Sequence, residues 1–75
     1  MKISARNVLK GKVKSVKVGI VNAEVVIQVA KGVEVVAMIT ADSVKRLGLK
    51  KGKEAFAVFK ASSTMIAVPH SKRGQ

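Results

Sequence analysis

Two short stretches of the sequence combine cationic and hydroxyl side chains, one near each end of the chain. In SARN, at residues 4–7, a serine lies two residues from an arginine, and in KASSTMI, at residues 60–66, a lysine precedes a run of hydroxyl residues. Guanidinium, ammonium, hydroxyl and backbone N–H groups are the donors with which proteins surround tetrahedral oxyanions. The candidate anion-binding residues are Ser4, Arg6, Lys60, Ala61 and Ser62.

The anion site predicted here depends on an extended backbone in both stretches. Alternation along a strand places Ser4 and Arg6 on one face, and it does the same for Lys60 and Ser62. The small Ala61 would let the backbone approach an anion closely. The alternative is that the stretches are two unrelated polar strand ends, and the spacing alone leaves both interpretations open.

The sequence offers little for enzymatic or metal chemistry. It contains no cysteine, its only histidine is His70 near the C-terminus, and its four carboxylates are dispersed along the chain. No glycine pattern matches a phosphate-binding loop. We therefore expect neither a metal held directly by protein side chains nor an enzyme.

The chain is strongly basic, with a formal net charge of +11. Such a charge attracts small oxyanions, nucleic acids and acidic surfaces alike, so it does not identify the partner. Proteins that bind single-stranded nucleic acid usually stack the bases on aromatic rings. This sequence has only two such residues, Phe56 and Phe59, which makes nucleic-acid binding less favoured but leaves it open. Four lysines form either a solvated strand face or a nucleic-acid track: Lys10, Lys12, Lys14 and Lys17.

The elements that must position these residues are mainly strands, because apolar residues recur with a period of two along most of the chain. The apolar parity changes near residues 14–16, which predicts a bulge. Lys31 and Gly32 predict a hairpin turn. One short helix is also predicted, with Thr40 or Asp42 as its N-cap and Gly48 as its C-cap. The predicted strands cover residues 8–18, 22–30, 34–39, 54–59 and 64–68, with the helix at 40–48.

This order of elements predicts an all-β fold, a five-stranded OB-like Greek-key barrel with one short helix between strands 3 and 4. We expect a domain at residues 1–68 and a flexible basic tail at 69–75. A chain this short has a marginal core when alone, so a homo-oligomer is expected. The longest apolar run is far too short to cross a bilayer, and we expect a cytoplasmic protein without a membrane partner.

Four stretches occur in order along the chain: SARN, GIVNAEV, ITADSVKRLGLKKG and KASSTMI. Together they span nearly the whole sequence, and in this order they resemble the molbindins. Those are molybdate-binding domains of the OB or TOBE type, which also occur fused to molybdate regulators and importer ATPases. Each stretch alone is a weak signal, but four in sequence at suitable spacing are a strong one.

The resemblance implies that molybdate or tungstate binds between subunits of a hexamer, assembled as a trimer of dimers. It assigns one side of the pocket to Ser4, Arg6, Lys60, Ala61 and Ser62. It assigns the other side, contributed by a neighbouring subunit, to Thr40 and Ser43. A second class of site would lie near the GIVNAEV stretch, at Ile20 and Asn22.

The function implied by this resemblance is molybdate binding for intracellular molybdenum storage or homeostasis. Because the sequence from Met1 to Gln75 leaves no room for a DNA-binding or ATPase domain, we expect storage rather than transcriptional control. Two alternatives come from other classes of protein. One is a basic OB-fold nucleic-acid-binding module, and the other is a subunit scaffold with incidental anion affinity.

Overall fold

The structure, a computed structural model, describes residues 1–70. In chain order the elements are β1 (Asn7–Val18), β2 (Asn22–Ala30), β3 (Val33–Thr40), α1 (Ala41–Leu47), β4 (Glu54–Phe59) and a short 3₁₀ turn (Ala61–Ser63). The strands form one curled antiparallel sheet in the order β3-β2-β1-β4. This is an all-β, OB-like fold with one helix between its third and fourth strands.

β1 contains a bulge at Lys14. Val13 pairs with Ile27 of β2, but the next pair joins Ser15 to Val26, so Lys14 is an extra residue in β1. Across the bulge the inward-facing positions change from odd to even residue numbers. The bulge predicted from the parity change is confirmed, and the bend that it introduces helps the sheet to curl.

The hairpin between β2 and β3 turns at Lys31 and Gly32, as predicted. Gly32 has a φ of +73°, a conformation that glycine adopts without the steric cost of a side chain. The hairpin aligns Asn22, the first residue of β2, with Thr40, the last residue of β3. It therefore places the start of α1 beside the β1–β2 turn.

The predicted helix is confirmed over Ala41–Leu47, together with both of its caps. The Ser43 N–H donates to Thr40 Oγ1 at 3.0 Å, which satisfies one of the free N–H groups of the first turn. At the other end Gly48 has a φ of +64°, and the Leu49 N–H donates to the Val44 carbonyl at 3.0 Å. Val44 is the residue that fixes this short helix on the sheet, because it is buried in the core.

The hydrophobic core is small. Among the described residues, the buried apolar side chains are Val13, Ala23, Val25, Ile27, Val44 and Ala57. None is larger than isoleucine. Many large apolar side chains remain exposed on the single chain, including Met65 and Ile66 near the C-terminus. The free energy of folding available from burial within one chain is correspondingly limited.

The fifth strand predicted at residues 64–68 does not form within the single chain. Thr64 has an extended backbone, but the 64–68 segment pairs with no strand, and Ile66 and Val68 are exposed. The alternating pattern specified an extended conformation, whereas a strand also needs a neighbouring strand with which to bond.

The predicted domain at 1–68 contains every helix and strand that the structure describes. Pro69 and His70 follow it as exposed residues without regular secondary structure. The rest of the predicted tail, residues 71–75, lies outside the described residues. Within residues 1–70 the structure contains no helix with the length and hydropathy required to cross a membrane.

Candidate oxyanion-binding site

The pairing of β1 with β4 brings the two cation–hydroxyl stretches to the same end of the sheet. Asn7 at the start of β1 pairs with Phe59 at the end of β4. Ser4 and Arg6 immediately precede this pair, and Lys60 immediately follows it. Residues far apart in sequence therefore become neighbours because the strands are antiparallel and in this register. We call this end of the sheet the Arg6–Lys60 end.

The backbone at 60–63 is a 3₁₀ turn, so the predicted strand alternation of Lys60 and Ser62 is wrong. The Ser63 N–H donates to the Lys60 carbonyl at 3.0 Å, and the Thr64 N–H donates to the Ala61 carbonyl at 3.2 Å. The Thr64 hydroxyl also donates to the Lys60 carbonyl, at 3.3 Å. Local hydrogen bonding by hydroxyl residues competes successfully with strand geometry here. The turn leaves the N–H groups of its first residues free of partners within the turn.

The side chains at the Arg6–Lys60 end are exposed and cationic. Ser4, Arg6, Lys60 and Ser62 all face solvent, whereas Ala5 is half-buried. Three ion pairs occur among residues 1–70, and neither Arg6 nor Lys60 takes part in them. The positive charge at this end is therefore available to an external anion.

The other predicted hydroxyls form a hydrogen-bonded cluster at the start of α1. The Thr40 hydroxyl donates to Ser43 Oγ at 2.8 Å, and Arg46 Nη2 donates to the same oxygen at 3.0 Å. Arg46 is held in place by Asp42, whose Oδ2 accepts from Nε at 3.1 Å. Because Ser43 Oγ accepts two hydrogen bonds, its own proton is left to donate outward. We call this the Thr40–Ser43 cluster.

The Thr40–Ser43 cluster lies at the opposite end of the sheet from Arg6 and Lys60. β2 runs antiparallel to β1 with Val18 opposite Ala23, so the β3 end at Thr40 adjoins the C-terminal end of β1. The structure thus brings the predicted residues together in two groups and does not bring the two groups together in one chain.

The residues of the predicted second site lie beside the Thr40–Ser43 cluster. Asn22 pairs directly with Thr40, and its carbonyl accepts from the Gly19 N–H at 2.8 Å in the β1–β2 turn. Ile20, at the tip of that turn, is fully exposed. This end of the sheet therefore presents hydroxyls, a guanidinium and an apolar side chain on one surface.

Arg46 is a residue that the sequence analysis did not select. The signal was present in the sequence, because Ser43 and Arg46 are three residues apart on a predicted helix and such residues share a face. Within residues 1–70 no three histidine or carboxylate side chains are grouped as metal ligands would be. The two donor groups offer hydrogen bonds and positive charge to an anion.

The chain is similar to one known protein family and to several curated proteins. The family model for the TOBE domain matches residues 3–66. A relative from Clostridium pasteurianum, molybdenum-pterin-binding protein 3, is 53% identical over 66 residues, which cover 88% of this chain and 97% of the relative.

Solved structures give the same result. MopII from Clostridium pasteurianum superposes with a TM-score of 0.84 at 49% sequence identity, over 89% of this chain and 100% of that one. The cytoplasmic molybdate-binding protein ModG, solved with molybdate bound, gives a TM-score of 0.87 at 46% identity, over 92% of this chain and 49% of ModG. The family match, the sequence identities and the shared fold lead to one assignment: the chain belongs to the TOBE-domain family, as a domain of the molbindin type.

Proposed function

We propose that this protein binds molybdate, or the similar tungstate, and that it serves molybdenum storage or homeostasis in the cytoplasm. The observation that carries the proposal is the β1–β4 register, which places Arg6 beside Lys60, and neither cation forms an ion pair within residues 1–70. The related ModG structure, which contains molybdate, supports the choice of anion. The proposed role is binding rather than catalysis.

The proposed pocket matches a tetrahedral dianion in charge and in donors. Arg6 supplies a planar fork of N–H donors, and Lys60 supplies a second positive charge. Ser4 and Ser62 add hydroxyl donors, and the first N–H groups of the 3₁₀ turn, including that of Ala61, add backbone donors. Charge-assisted hydrogen bonds of this kind are the stronger ones, so a few of them can hold a small anion.

A second chain completes the proposed pocket. Since the Arg6–Lys60 end and the Thr40–Ser43 cluster lie at opposite ends of one sheet, one anion contacts both only when two chains meet. We therefore assign Thr40 and Ser43 to the neighbouring subunit, in a homo-oligomer that we propose to be a hexamer built as a trimer of dimers. Ile20 and Asn22 form the proposed second class of site.

The nucleic-acid alternative has less support from the geometry. The lysines of β1 provide its footprint, but Lys10 Nζ lies 3.2 Å from Glu54 Oε2, and Lys14 pairs with Glu34. Two of the four positions in the lysine track are thus partly neutralised within the chain. Phe56 and Phe59, the only aromatic residues, lie on β4 rather than along that track.

Calorimetric titration with molybdate, sulfate and a short single-stranded oligonucleotide tests the proposal. We expect molybdate to bind more tightly than sulfate, with a weak dependence on salt, because an enclosed site is screened less than a surface. Oligonucleotide binding through many phosphate contacts would instead weaken steeply as salt rises. Tight oligonucleotide binding at physiological salt without measurable molybdate binding would reverse the assignment.

A further inference from the structure

Arg46 joins two polar side chains at the Thr40–Ser43 cluster. Its Nε donates to Asp42 Oδ2 at 3.1 Å, and its Nη2 donates to Ser43 Oγ at 3.0 Å. The three residues share one face of α1, because positions three and four apart on a helix are neighbours. A guanidinium therefore contacts the hydroxyl of Ser43, which is assigned above to the proposed pocket.

The hydrogen bonds of the cluster restrict what the Ser43 hydroxyl offers to a ligand. A serine hydroxyl has one proton to donate and two lone pairs with which to accept. Both lone pairs are used, since Ser43 Oγ accepts from the Thr40 hydroxyl at 2.8 Å and from Arg46 at 3.0 Å. Towards a ligand, Ser43 is therefore a donor and not an acceptor.

Arg46 also pairs with the carboxylate next to Ser43 in the sequence, that of Asp42. An unpaired carboxylate beside the pocket would repel a dianion, and it would accept a hydrogen bond from any ligand that carries a proton. The Asp42 and Arg46 side chains are 79% and 66% exposed, so their ion pair adds little to stability. We therefore expect Arg46 to affect the ligand more than the fold.

Tetrahedral oxyanions differ in whether they need an acceptor from the protein. At neutral pH molybdate, tungstate and sulfate carry no proton, whereas phosphate retains at least one. The P–OH group of a bound phosphate gives up its hydrogen bond to water, and affinity is lost unless the pocket contains an acceptor for it. A pocket lined by donors therefore discriminates against phosphate by its protonation rather than by its size.

We propose that Arg46 is a positioning residue that sets the anion specificity of the pocket, favouring fully deprotonated tetrahedral oxyanions over phosphate. By donating to Ser43 and pairing with Asp42, it occupies two acceptors of the cluster. On the other side of the proposed pocket, Arg6 and Lys60 have no acceptor atoms in their cationic groups. This inference rests on the proposed function, because it concerns the specificity of the same pocket.

Competition between anions tests the role of Arg46. Sulfate and phosphate are similar in size, so the ratio of their affinities isolates the effect of protonation. Each anion is titrated as a competitor of molybdate by calorimetry at neutral pH, with the parent protein, Arg46→Met and Lys45→Met. Lys45→Met is the matched control, because Lys45 is exposed, adjacent to Arg46 on α1 and outside the hydrogen bonds of the cluster.

In the parent protein, sulfate should compete more strongly than phosphate. Because Ser4 and Ser62 can accept as well as donate, Arg46 supplies one part of this selectivity. Arg46→Met should lower the ratio of sulfate affinity to phosphate affinity about fivefold, the factor that corresponds to one hydrogen bond. In Lys45→Met both anions should weaken together, and the ratio should stay constant.

Two results would overturn the inference: equal competition by sulfate and phosphate in the parent, or no gain of phosphate relative to sulfate in Arg46→Met beyond that in Lys45→Met. Either result leaves molybdate binding by the parent intact. A parent protein that binds no molybdate would instead contradict the proposed function, and the inference with it. Since the ratio compares two ligands on one protein, a modest change in stability does not alter it.

Discussion

Arg6 is the side chain on which the proposed specificity most depends. It is exposed, it forms no ion pair among the described residues, and it lies beside Lys60 across the β1–β4 pair. Its positive charge could be supplied by lysine, but its planar arrangement of donors could not. The residue thus separates two contributions to anion binding, attraction by net charge and recognition by geometry.

Arg6→Lys should weaken molybdate binding about tenfold, equivalent to about 1.4 kcal/mol, although the net charge is unchanged. Because Arg6 is exposed, the melting temperature of the ligand-free protein should stay nearly constant. Calorimetry and thermal denaturation measure the two quantities. Lys31→Arg, a charge-preserving change in the β2–β3 turn, is the control and should leave affinity unaltered. An unchanged affinity in Arg6→Lys would assign binding to net charge alone.

Ser62→Ala removes one hydroxyl from the Arg6–Lys60 end without altering charge. We expect a loss of affinity of about 1 kcal/mol, the usual net value of a hydrogen bond, with little effect on folding. Ser15→Ala, which removes an exposed hydroxyl from β1 outside both groups, serves as its control. Equal titration curves for Ser62→Ala and the parent protein would remove Ser62 from the pocket.

At the scale of elements, α1 depends on its caps more than on its length. A helix of seven residues gains little from its own hydrogen bonds. Its position is fixed by Val44 in the core and by Thr40 and Gly48 at the ends. Thr40 therefore has two roles: its oxygen caps the helix, and its proton, donated to Ser43 Oγ, helps to orient the hydroxyl that we propose donates to the anion.

Thr40→Val should reduce the stability of the protein more than Ser43→Ala does. The valine keeps the shape of the side chain but loses the oxygen that accepts from the Ser43 N–H, and the free energy of unfolding should fall by about 1 kcal/mol. Ser43→Ala keeps this cap and should change stability less. Both should weaken molybdate binding. Urea denaturation with calorimetry distinguishes them, and equal stability of Thr40→Val and the parent would contradict the capping role.

The sequence predicted the elements whose signals are local. The bulge at Lys14, the turn at Gly32 and the helix between Thr40 and Gly48 each follow from side-chain pattern or backbone preference within a few residues. The sequence also indicated which cationic and hydroxyl residues are candidates for anion binding. However, the alternation pattern predicted a strand conformation at residues 60–62 and a fifth strand of the sheet at residues 64–68. Those two features depend on competition from local hydrogen bonds and on the availability of a partner edge, which a single sequence pattern does not contain.

For the whole molecule, the arrangement of donors predicts that assembly and anion binding support one another. An anion bound only by the assembled form stabilises it by RT ln(1 + [L]/Kd), or about 2.7 kcal/mol per site at 100 times Kd. Molybdate should therefore raise the melting temperature and oppose dissociation on dilution. Sulfate, with shorter bonds to oxygen, should do so less. An equal shift with sulfate, or none with molybdate, would contradict a specific site.

The size of the assembly is a separate prediction. Light scattering at micromolar concentration should give a closed oligomer, and the proposed trimer of dimers corresponds to a hexamer. A monomer that still binds molybdate tightly would contradict a pocket shared between chains. Measurement with and without molybdate shows whether the anion is needed for assembly or only strengthens it.

The placement of the two donor groups at opposite ends of the sheet gives each chain a polarity, with a head at Arg6 and a tail at Thr40. When every head meets a tail, a closed assembly has as many shared pockets as chains, whereas an open row of chains has one pocket fewer. A shortfall of bound anions relative to chains thus indicates ends that remain unmatched. Once binding at the proposed second class of site is subtracted, the saturation ratio of molybdate to chain reports whether the assembly is closed.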